Sequence, residues 1–125
     1  MKTQIWSGDP FILPPERRRY LRVEVAVQIE LRPSGTNVPM RMETADVSLG
    51  GCYVEMGMTL EEGTKLDIIL WLDQKKLCTK GVVVTRHPQF GNGIQFERLS
   101  SENEALLLNF LDSHEDSWKK RDWPV

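Results

Sequence analysis

The 125-residue chain has only two cysteines, Cys52 and Cys78, and two histidines, His87 and His114. There is no CxxC spacing, and neither histidine neighbours a thiol, so the ligand sets that build zinc sites are missing and no metal is expected. No Ser-His-Asp set can be composed. The acidic residues fall mostly on polar strand faces or at a helix start, where solvation explains them, so an enzyme is not expected. Glycine-rich phosphate loops of the P-loop and Rossmann kinds are absent, which removes the common nucleotide-hydrolysing folds. No apolar run approaches the ~20 residues of a membrane-spanning helix. The amino-terminal MKTQIWSGDPFILPP lacks the basic segment and long apolar stretch of a secretory leader. These absences predict a cytoplasmic protein with no membrane insertion. A formal net charge of -2 argues against general nucleic-acid binding, which calls for a domain-wide basic excess.

What is present is a long alternation of apolar and polar residues. Residues 1–15, with Gly8, Pro10, Pro14 and Pro15, show no sustained period and read as a flexible or draped arm. From Leu21 to Arg32 every second residue is apolar, the mark of a strand with one buried face. PSGTN at 33–37 is a turn by composition, and Val38, Met40 and Met42 resume the alternation, which predicts a hairpin. Further strands are predicted over Cys52 to Met56, Lys65 to Leu72, Leu77 to Arg86 and Ile94 to Glu97. A loop at 57–63, a turn at Asp73 to Lys76 and a turn-rich HPQFGNG at 87–93 separate them. Six short antiparallel strands in ~80 residues predict a mainly β fold, a small closed barrel. One helix follows, with Ser101 as cap and Glu104 completing a capping box. Its stripe of Leu107, Phe110 and Leu111, with Ala105 and Leu108 beside it, is suited to docking on the barrel. Residues 113–125, with Trp118 and Trp123, form a tail.

Two polar stretches stand out against this pattern. Residues 16–22 read ERRRYLR, four arginines against one glutamate in a chain whose Lys and Arg total is 16. Guanidinium is planar and permanently charged, so it pairs with phosphate, forks onto the O6 and N7 of guanine and stacks on bases. The same run also fits a solvated charge cluster that guards a strand edge. The second stretch is ETADVSLGG at 43–51. In an extended segment Asp46 and Ser48 share a face, and a carboxylate there can accept from the N1–H and N2 amino group of a guanine edge. Gly50 and Gly51 allow close approach. A serine or aspartate turn ending a strand fits this stretch equally.

Taken in order, the two stretches resemble the signature of the PilZ domain family, bacterial receptors for cyclic di-GMP. Arg18-Arg-Tyr-Leu-Arg22 is similar to the family's RxxxR. Asp46-Val-Ser48-Leu-Gly-Gly51 is similar to its (D/N)xSxxG, and Gly93 to Phe96 resembles its last barrel strand. The resemblance covers residues 16 to about 112. It implies a six-stranded split barrel with a C-terminal helix, acting as a receptor without a cofactor. It also implies that Arg18 and Arg22 bind phosphates and guanine faces, and that Asp46, Ser48 and Gly51 meet a guanine edge. Arg17, directly before the RxxxR, implies a stacked pair of ligand molecules, and Arg19 and Gly50 adjoin the set as additional candidates. A receptor of this kind signals to another protein, with the arm (Ile5, Trp6, Phe11, Ile12, Leu13) repacking as the arginines close. Two rivals read the chain differently. One is a barrel binding single-stranded nucleic acid, stacking bases on Tyr20, Tyr53 or Trp71. The other is a protein-interaction module that engages a partner through Trp118 and Trp123.

Overall fold

The structure, a computed structural model, describes residues 22–114. The arm, Arg17, Arg18, Arg19, Tyr20, Leu21 and the tryptophans of the tail lie outside the described residues.

Among the described residues six strands, β1 (Gln28–Pro33), β2 (Met40–Val47), β3 (Gly51–Glu55), β4 (Lys65–Leu72), β5 (Lys75–His87) and β6 (Gly91–Phe96), precede one helix, α1 (Ser101–Asp112). All pairings are antiparallel, and the sheet closes in the order β1-β2-β3-β6-β5-β4. Closure leaves no open sheet edge, so a chain of many short strands needs no partner to satisfy its backbone. Alternation supplies the interior. Ile29 and Leu31, Leu66, Ile68, Leu70 and Leu72, Leu77 and Val83, and Ile94 and Phe96 point inward and are buried. Leu107, Phe110 and Leu111 of α1 join the same core. Asn103 Nδ2 fastens the helix to the wall by donating to the Cys78 carbonyl at 3.1 Å.

Several boundaries differ from those the pattern predicts, each for a local reason. Between residues 22 and 27 the burial alternates as expected, with Val23 and Val27 buried, but the ladder is broken: Val23 bridges Val47, and the Val27 carbonyl accepts from the Thr44 amide at 3.0 Å. A side chain stands in for the missing ladder. Thr44 Oγ1 donates to the Val25 carbonyl at 2.8 Å and accepts from the Val27 amide at 2.9 Å. Val38 is exposed ahead of β2 rather than inside it. The β4–β5 turn is only Asp73 and Gln74, because Asp73 takes a φ of 59° and the chain reverses in two residues. The β5–β6 turn is Pro88 to Phe90, with Gln89 at φ 70°, so β6 begins at Gly91, three residues ahead of the expected Ile94. The helix cap is Ser100, whose hydroxyl accepts from the Asn103 amide at 3.0 Å, one residue before the expected Ser101. Ala105 faces solvent.

Candidate functional site

Two single-residue insertions in the ladder decide which side chains reach the outer surface here. On β2, Met40, Met42 and Thr44 turn inward at every second position. The register then shifts between Thr44 and Asp46, and Val47 is the next buried residue. One extra residue reverses the parity of a strand. Without that bulge at Ala45, the even-numbered Asp46 would point into the core. With it, Asp46 faces outward, opposite Tyr53 of β3. A second shift, between Val83 and Thr85 on β5, likewise places Thr85 outside, opposite Gly93 of β6. The outer face thus carries a row of Asp46, Tyr53, Gly93 and Thr85 across four neighbouring strands.

Arg22 completes the row. The Val23–Val47 bridge, with amide-to-carbonyl distances of 2.9 and 3.0 Å, lays the end of the arginine segment beside β2. Arg22 Nη1 donates to Asp46 Oδ1 at 2.8 Å, the two side chains being 33% and 21% exposed. Two residues 24 apart in sequence, one from each polar stretch, are therefore in direct contact. The pair is near enough to Cys52 for both charges to act on its thiol. Burial pushes that thiol up to about 12, with Asp46 adding to the rise and Arg22 opposing it. At any neutral pH Cys52 is a neutral packing group.

Ser48 and the glycines serve the turn that ends β2, so the single extended face expected for Asp46 and Ser48 stops at Val47. Ser48 is buried, donates its hydroxyl to the Gly51 carbonyl at 3.3 Å and accepts from the Gly50 amide at 3.2 Å. The Ser48 amide also donates to the Gly51 carbonyl, at 2.8 Å. Gly51 is a requirement of packing. A Cβ there would lie 2.0 Å from the Ile94 carbonyl oxygen, so only glycine lets β3 lie against β6 at this point. The Gly50 carbonyl accepts from the Phe96 amide at 2.9 Å. These residues hold the loop in place directly after Asp46.

Tyr53 sits closer to this centre than the sequence motifs reveal. Its ring lies over β6, since a Cβ on Gly91 would come within 2.8 Å of both Cε2 and Oη. The phenol reaches His87, with Tyr53 Oη 2.9 Å from Nδ1. Burial, then Glu55, then Asp46 raise the phenol above its ordinary value, so it stays neutral beside the carboxylates. A strand pattern with glycines at 91 and 93 facing a tyrosine is the signal that would have located it. Trp71, the other described stacking candidate, instead lies under the Arg41 guanidinium at 5.4 Å from the ring centroid. Among the described residues, no three His, Cys, Asp or Glu side chains gather as a metal-ligating group, and no helix is long and apolar enough to cross a membrane.

Solved structures share the architecture. The PilZ domain of YcgR from Escherichia coli, determined with c-di-GMP, aligns with a TM-score of 0.65 at 20% identity, covering 80% of this chain and 92% of that one. The PilZ domain of CeSA from a cellulose-synthesizing bacterium gives 0.60 at 19% identity, covering 75% and 97%. The Bacillus subtilis inhibitor of motility, MotI/DgrA, gives 0.66 at 19% identity over 84% of this chain. The present chain spans about half the length of that protein, 53%. Among curated proteins, none matches. The PilZ domain model matches residues 16–113, which take in both polar stretches, all six strands and the helix; the chain belongs to the PilZ domain family.

Proposed function

We propose that the chain is a cyclic di-GMP receptor, with residues 16–112 as the binding unit and Arg22 and Asp46 at its centre. The observation that carries this reading is the 2.8 Å contact between Arg22 and Asp46 on the outer face of the barrel. It puts a cation suited to phosphate and to a guanine face beside an acceptor suited to the guanine N1–H and N2 edge. Membership of the PilZ family supports the choice of ligand. In this reading Arg18 and Arg17 extend the cationic surface from the preceding segment, with Arg17 serving a second, stacked ligand molecule and Arg19 adjoining them. Ser48 and Gly51, with Gly50 beside them, meet the guanine edge held by Asp46 and also fix the loop after it. Ligand closure over the arginine segment repacks residues 1–15, and that change is passed to a partner protein, with residues 113–125 available to the same contact. No chemistry is performed on the ligand.

Calorimetric titration with cyclic di-GMP tests the reading, run beside Arg22→Ala and with linear pGpG and single-stranded RNA as controls. Losing a charge-assisted hydrogen bond costs about 1.5–3 kcal/mol, so Arg22→Ala should weaken binding roughly ten- to hundred-fold. About two ligands per chain would support the role given to Arg17, and one would remove it. Absence of binding to cyclic di-GMP, or equal binding of single-stranded RNA, would refute the receptor reading.

A further inference from the structure

Beyond Tyr53 the outer face opens into a hollow of about 500 Å³ lined by Tyr53, Glu55, Met56, Gly57, Gln89 and Phe90. Phe90 is 72% exposed, yet its backbone is held at both ends. Its amide donates to the His87 carbonyl at 2.9 Å, and its carbonyl accepts from the Met56 amide at 3.0 Å. A large aromatic side chain is thus kept in solvent on a fixed turn. Tyr53, which lines the same hollow, lies over the glycines of β6, tethered at His87. Glu55, exposed and two residues beyond Tyr53, shares its side of β3. Asp46 pairs directly with Tyr53 across the β2–β3 ladder, so Asp46 and Glu55 are diagonal neighbours of one another on either side of the Tyr53 ring.

We propose that this hollow is a second purine subsite, in which a guanine of the cyclic dinucleotide enters between Tyr53 and Phe90 and Glu55 accepts from its N1–H and N2 amino group. The proposal rests on the receptor reading above and assigns a place to the base that Asp46 does not hold. Its parts match that occupant. Two aromatic rings suit a planar heterocycle, and stacking on them is tolerant of base identity. An ionised carboxylate accepts and cannot donate, so Glu55 selects an edge with two adjacent donors. Adenine presents no such edge, so the hollow adds guanine selectivity to the stacking. The hollow adjoins the Asp46 row through Tyr53 itself, and one ligand spans both.

The test is a calorimetric titration of the full chain with cyclic di-GMP and with cyclic di-AMP, comparing wild type, Phe90→Ala, Glu55→Gln and Arg22→Ala. Phe90 and Glu55 are exposed, so both substitutions leave the barrel intact, which circular dichroism verifies. Loss of a stacking ring should weaken cyclic di-GMP binding about ten-fold. Glu55→Gln should weaken it by a similar factor and narrow the preference over cyclic di-AMP. If wild type binds and Arg22→Ala is impaired while Phe90→Ala and Glu55→Gln bind like wild type, the subsite is overturned and the receptor reading stands. If wild type does not bind at all, both fall together.

Discussion

The two sides of the barrel are built differently. Between β4 and β5 eight residue pairs run from Lys65↔Val82 to Leu72↔Lys75 without a break. Between β2 and β3 there are three pairs and a register shift. On the regular side the exterior is closed by charge. Lys80 of β5 meets Asp67 of β4 at 3.4 Å, and on adjoining β1 the nearly buried Glu30 takes Arg32 at 3.5 Å and Arg41 of β2 at 3.0 Å. The irregular side carries its polar groups differently, through a threonine hydroxyl in place of ladder bonds, a serine turn and a strand spacing that only glycine permits. Regularity makes the wall, and the departures from it aim Asp46 and Tyr53 outward. A side chain faces out of a barrel at a chosen place only if the parity of its strand is set there, and one inserted residue is the smallest device that resets it.

The largest effect that would sharpen this contrast is expected at the β3–β6 contact. Gly51→Ala places a methyl 2.0 Å from the Ile94 carbonyl oxygen and should destabilise the fold by more than about 3 kcal/mol, read as a lowered urea midpoint. An alanine variant as stable as wild type would mean that the strands separate easily and that Gly51 is needed only at the ligand. Next is Thr44→Val, nearly isosteric but without the hydroxyl. It leaves the Val25 carbonyl and Val27 amide unpaired, a loss of about 2–3 kcal/mol. Accelerated amide exchange at Val27, with β4 and β5 unaffected, would place that loss on the irregular side.

The effect that is smallest at neutral pH grows only as pH rises. Unfolded, Cys52 ionises near 9.0, whereas in the folded chain burial holds its proton up to about 12. Above pH 9 the unfolded state binds fewer protons, so the stability contributed below that pH is lost as pH rises. The slope approaches about 1.4 kcal/mol per pH unit. Cys52→Ala should flatten that decline in urea denaturation between about pH 9 and 11, and an unchanged slope would assign the decline to other groups.

Much of this was legible in the residues. Period-two alternation placed all six strands, because one face of each is buried, and the stripe of Leu107, Phe110 and Leu111 placed the helix against them. What the pattern concealed were the insertions at Ala45 and Val84. A single extra residue changes neither composition nor local hydropathy; only its partners across the ladder reveal it. For the same reason Arg22 and Asp46 were both visible as candidates, while their contact was not, since it depends on the Val23–Val47 bridge. Ser48 and Gly51 are ligand contacts in what the resemblance implies, and the fold adds a second duty, because both also bond and pack against the chain itself. Tyr53 was visible only as a stacking residue for nucleic acid, and Glu55 and Phe90 gave no signal, because an exposed side chain at a turn is unremarkable without its neighbours.

The most direct test of the division between the two sides is an amide ¹H–¹⁵N NMR titration with cyclic di-GMP. The account predicts shifts at Arg22 and Val23 and from Asp46 through Tyr53, with Lys65 to Lys80 unmoved. Shifts running along β4 and β5 while Asp46 and its neighbours stay fixed would contradict it.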